Sequence, residues 1–72
     1  MLKDEDIKPG AVFVGLNNKE QFKIKEIKKD NFNNDNIIII EYQDKNGNKK
    51  TTETNQKNFK RLSIINIKDF RA

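Results

Sequence analysis

The chain has 72 residues and a formal charge of +4 at pH 7, with 33% apolar and 36% charged residues. A chain of this length is expected to form one domain over residues 1–72 and to bury only about 60% of its unfolded surface. It contains no His, Cys or Trp, which excludes disulfides and ordinary zinc sites and argues against His- or Cys-based catalysis.

The expectation is therefore a non-enzymatic protein with no cofactor, no metal and no small-molecule substrate. The N-terminal run MLKDEDIKPG lacks the apolar stretch of a signal peptide and places acids where such peptides are positive. No apolar run approaches the ~18 residues of a membrane span. A soluble, cytoplasmic protein is expected.

Charge is uneven along the chain. Residues 1–44 carry seven lysines and nine acids, net −2, whereas residues 45–72 carry eight basic residues and two acids, net +6. A basic half can mark a polyanionic partner. Yet the basic residues are thirteen Lys and two Arg amid many Asn and Ile, the bias that AT-rich coding produces. Arg, the residue of bidentate base contacts, is scarce.

In chain order, Lys8-Pro9-Gly10-Ala11 predicts a type II turn, with Pro presetting φ and Gly accepting φ > 0. A first strand follows from Ala11 to Val14. A two-residue turn at Asn17-Asn18 would place Phe13 opposite Phe22 and Ala11 opposite Ile24. The second strand, Glu20 to Lys29, starts with clean alternation and then slips phase, because Ile27 stands three residues beyond Ile24. One extra residue near Lys25-Glu26 restores an inward Ile27, which predicts a β-bulge that bends the strand and could turn Glu26 toward the interior.

Asp30 to Asn36 is a polar loop holding Phe32. The stretch IIIIEYQDKNGNKKTTET, Ile37 to Thr54, predicts a hairpin. A two-residue Asn46-Gly47 turn leaves neither face coherent. A type I turn at Asp44-Lys45-Asn46-Gly47 with a Gly bulge pairs Ile38 with Thr54, Ile40 with Thr52 and Tyr42 with Lys50. The opposite face then pairs Ile39 with Glu53, Glu41 with Thr51 and Gln43 with Lys49, and burial selects this register. Asn55 can cap one helical turn over Gln56 to Lys60 with Phe59 inward. A last strand is expected from Leu62 to Ile65, followed by a tail bearing Ile67 and Phe70.

This order is all-β: five short strands with one helical turn before the last. Ile7-Lys8-Pro9-Gly10, the run Phe22 to Ile27, the Asp44–Gly47 hairpin and Asn58-Phe59-Lys60-Arg61-Leu62 together resemble the small SH3-like β-barrels. The arrangement is also similar to short proteins of low-GC bacteria, their phages and mobile elements. A five-stranded OB-like barrel is the alternative, although it usually carries a helix between its third and fourth strands.

The resemblance does not bring the usual SH3 ligand with it, since proline-rich peptides dock in Tyr- and Trp-lined grooves and this chain has one Tyr and no Trp. Two function classes remain. In the first, the chain captures a protein partner through the outward residues Ile37 and Ile39 and the loop aromatic Phe32, as an adaptor or a small inhibitor of host machinery. In the second, a Lys-rich face of Lys23, Lys25, Lys49, Lys50, Lys60 and Arg61 binds nucleic acid, with Phe32 or Tyr42 stacking on a base.

Overall fold

The computed structural model describes residues 2–17 and 19–70. Its strands are β1 (Val12–Gly15), β2 (Gln21–Asp30), β3 (Asp35–Gln43), β4 (Lys49–Asn55) and β5 (Ile64–Asn66), with a helical turn α1 (Gln56–Phe59) between β4 and β5. They form one antiparallel sheet in the order β4-β3-β2-β1-β5. Short 3₁₀ turns at Asp4–Asp6 and Ile67–Asp69 lie outside it.

Local chemistry explains each junction. At Lys8–Ala11 the Ala11 N–H donates to the Lys8 carbonyl at 3.1 Å, with Gly10 at φ +91°. β1 then pairs with β2 so that Phe13 faces Phe22, and the Ile24 N–H donates to the Ala11 carbonyl at 2.9 Å. Gly15 N–H donates to the Glu20 carbonyl at 2.7 Å. The expected Asn17-Asn18 turn lies beyond that bond, with Asn18 outside the described residues.

The ladder between β2 and β3 shifts register between Ile24 and Glu26, so Lys25 is the extra residue of a bulge. Ile24 faces Ile40 before the shift and Ile27 faces Ile38 after it. The inward row is thus preserved while the strand bends. Glu26 is exposed and pairs across from Ile39 on the outer face. The bulge therefore does not turn it inward, because Lys25 absorbs the change of phase.

The β3–β4 hairpin has the three-residue register. Ile38 faces Thr54, Ile40 faces Thr52 and Tyr42 faces Lys50. The Gly47 N–H donates to the Asp44 carbonyl at 3.0 Å, with Gly47 at φ +82°. The Asp44 carboxylate accepts from the N–H groups of Asn46 and Asn48, both at 2.9 Å. This is the local bonding that makes Asp favourable at the first turn position. Asn55 caps α1 by accepting from the Asn58 N–H at 2.7 Å.

Phe13, Ile24, Ile38, Ile40 and Phe59 form the core with Leu2 and Ile7. Phe13 and Phe59 meet edge to face, their centroids 5.1 Å apart at 82°. Such side chains contribute roughly 1.5–3 kcal/mol each by leaving water, so a handful of residues carries most of the fold.

Three more features differ from expectation. The polar loop expected over Asp30 to Asn36 is shorter, because β2 runs through Asp30 and β3 begins at Asp35, where the two residues still pair. The last strand begins at Ile64 rather than Leu62, because the Leu62 N–H still donates to the Phe59 carbonyl at 3.2 Å and continues the helical turn. Leu62 is left 47% exposed. In addition, no ladder joins β4 to β5 among the described residues, so the sheet is open rather than closed into a hydrogen-bonded barrel. A cleft of about 400 Å³ lies between those edges, lined by Thr52, Thr54, Ile64 and Phe59. The β3–β4 connection is the tight Asp44–Gly47 turn, with no helix between those strands.

Candidate functional site

Ile37 and Ile39 alternate with the buried Ile38 and Ile40 on β3 and so occupy the outer face, where both are half-buried. Their cross-strand neighbours are polar. Ile37 lies between Lys28 and Asn55, and Ile39 between Glu26 and Glu53. The chain ends are engaged elsewhere. Leu2 and Ile7 enter the core, and the turn Ile67–Asp69 packs against β1. The outer row is therefore a short apolar strip with a charged rim.

Phe32 stands at the tip of the β2–β3 hairpin and is 97% exposed. Its backbone is held although its ring is free. The Asp30 carboxylate accepts from the Phe32 N–H at 3.0 Å and from the Asn33 amide at 2.8 Å. Asn34 takes the left-handed conformation, φ +53°, which closes the loop and which Asn tolerates better than most residues. The Asn33 amide, helped by the two loop N–H groups, holds Asp30 below the ordinary carboxylate value.

The six basic residues singled out from sequence do not form one patch. Lys49 and Lys50 open β4, whereas Lys60 and Arg61 follow α1, beyond its other end. A seven-residue strand separates them by about 20 Å. Lys23 and Lys49 line a groove of about 520 Å³ beside Phe22 and Tyr42, but Glu20, Glu41 and Asp44 line it too. Lys25 is the bulge residue. Lys60 and Arg61 line a different groove of about 780 Å³, between the β2–β3 tip and α1, together with Lys29 and Lys57. Lys29 is absent from the sequence-derived set. The bulge could have revealed it, since shifting Ile27 inward also shifts Lys29 to the inner side.

Polar contacts tie this second groove together. Asn36 Nδ2 donates to Gln56 Oε1 at 2.8 Å, and Gln56 Nε2 donates to Asp4 Oδ1 at 3.4 Å. Asp4 also pairs with Lys60 at 2.8 Å. Asp35 accepts from the N–H groups of Asn36 at 2.7 Å and Lys57 at 3.3 Å. In the same 3₁₀ turn as Asp4, the buried Asp6 pairs with Lys68 at 2.7 Å.

These contacts set a pH profile. Lys60 beside Asp4, and Asn33 beside Asp30, hold both carboxyls below the ordinary 3.8. A depressed carboxyl stabilises the fold fully above its unfolded value and loses that contribution as pH falls through the folded one. Asp6 raises Lys68 above 10.5, so that contribution is intact below 10.5 and is lost as pH rises past the raised value. Urea midpoints should accordingly fall below pH 3.8 and above pH 10.5. Asp4→Asn should flatten part of the acid limb, and an unchanged acid limb would remove the Lys60 pair from the account.

Among the described residues no cluster of three His, Cys, Asp or Glu is placed to hold a metal, and no helix is long and apolar enough to cross a membrane. No protein-family model, curated protein or solved structure matches this chain.

Proposed function

We propose that the chain is a non-enzymatic protein–protein interaction module, an adaptor or small inhibitor of the kind that phages and mobile elements direct at host machinery. The observation that carries this reading is Phe32, 97% exposed on a tip whose backbone Asp30 pins. An aromatic ring in solvent on an ordered support loses little conformational freedom when a partner buries it, so more of its burial is available for affinity. Ile37 and Ile39 offer a second apolar contact on the outer face, and the free side of β4 offers unpaired backbone groups for strand pairing. The module acts by occluding its partner's surface, which needs no reacting group.

Ile39→Asp is expected to abolish partner capture from lysate of the source cell, with or without nuclease, while the circular dichroism spectrum stays that of the parent. If the variant unfolds instead, Ile39 belongs to the core and the outer face is not the binding surface. If nuclease alone releases the captured material, a nucleic acid rather than a protein holds it.

A further inference from the structure

The groove between the β2–β3 tip and α1 has a character of its own. Four cations line it, Lys29, Lys57, Lys60 and Arg61, against two carboxylates, Asp4 and Asp35. Both carboxylates are already engaged. Asp4 binds Lys60 and Gln56, and Asp35 accepts from two backbone N–H groups. Among the described residues, Lys29, Lys57 and Arg61 have no ion-pair partner. The other large groove differs, because its two lysines face three acids.

We infer that this groove binds single-stranded nucleic acid, with Lys29, Lys57 and Arg61 on the phosphates and the Phe32 ring stacked on a base. The three free cations come from three places, the end of β2, α1 and the residue after Lys60. Lys57 and Arg61 lie one helical turn apart on one side of the groove and Lys29 stands on the other, at the end of β2, so a strand lying in the groove meets cations on both sides, as a phosphate backbone requires. Phe32 directly precedes Asn33 and Asn34, which line the groove, and its ring is open to solvent. A base can reach that ring only when it is unpaired, which favours a single strand over a duplex.

The lining also argues against an acidic protein as occupant. No apolar side chain faces the groove among its described residues, whereas protein interfaces draw their affinity from desolvated apolar anchors. Charges, amides and one flanking ring suit a flexible polyanion. This site lies on the inner side of the hairpin and goes beyond the protein-binding reading of the outer face, sharing only Phe32 with it.

The test is fluorescence anisotropy with short labelled oligo(dT) and oligo(U), a duplex of the same length, and a poly-glutamate peptide. The single strands are expected to bind, and more weakly as salt rises, with a log–log slope of about −2 for three phosphate contacts. Lys57→Glu with Arg61→Glu should weaken binding by more than about tenfold. Phe32→Leu should cost about tenfold, and Phe32→Tyr should restore it. Lys49→Glu with Lys50→Glu, at the far end of β4, should change little.

Ile39→Asp should leave oligonucleotide binding intact, so Ile39 tells this site from the outer protein-binding face, whereas Phe32 serves both. Circular dichroism confirms that each variant is folded, and all the substituted side chains except the half-buried Ile39 are exposed. No binding at low salt would overturn the inference. So would equal binding of poly-glutamate or duplex, or an equal loss in the Lys49/Lys50 variant.

Discussion

Phe59→Ala is expected to lower the unfolding free energy by ~3–5 kcal/mol, which moves the urea midpoint far down. Phe59 has no exposed surface, packs edge to face on Phe13 and lies beside the gap between β4 and β5. Among the described residues no backbone ladder spans that gap, so side-chain packing closes the core there. Truncation removes the transfer free energy of the ring and leaves a cavity that opens toward the cleft. At about 0.05–0.15 kcal/mol per residue, a domain of this size has only about 4–11 kcal/mol in total. Urea titration followed by circular dichroism reads the effect, and a midpoint equal to the parent's would mean that Phe59 does not hold the core.

Ile38→Asp should be at least as damaging, while its neighbour Ile39→Asp folds. Ile38 is completely buried, opposite Ile27 on one side and Thr54 on the other. A carboxylate there meets no cation, and an unpaired buried charge costs several kcal/mol after relaxation. The variant is expected to lack a cooperative unfolding transition at neutral pH. It should recover structure only where the carboxyl is protonated. Ile39 lies one position along the same strand and faces out. If both variants fold, or both unfold, the alternation of β3 is misassigned.

The features readable in the sequence were those set by short-range chemistry. Asp44 and Gly47 determine a turn, the turn limits the register, and burial of Ile38 and Ile40 selects among the registers left. The three-residue step from Ile24 to Ile27 showed the bulge because strand alternation has a period of two. The candidate sites were less legible. Lys50 and Lys60 are ten positions apart, but an extended strand keeps their ends of the sheet separate. Lys29 and Arg61 meet at one groove although thirty-two positions divide them. Such convergence follows from where α1 docks, which the buried Phe59 anchors and the contacts of Asn36, Gln56 and Asp4 orient. No local pattern encodes that docking. The exposure of Phe32 was open for the same reason, since its polar loop could equally have folded the ring back onto the core.

The pair between Asp6 and Lys68, sixty-two positions apart, carries a consequence for how the molecule is made. β1 needs β5 as its neighbour, and Leu2 and Ile7 share a core with Phe59. Residues 2–15 leave the ribosome before residues 59–69 and have no complete surface to rest on until those arrive. The β2–β3–β4 meander can form in the interval, but with Ile24, Ile38 and Ile40 open on one side. Completion of the fold then waits on the one long closure that sets β5 beside β1, and until it happens the open strands risk pairing with the wrong chain.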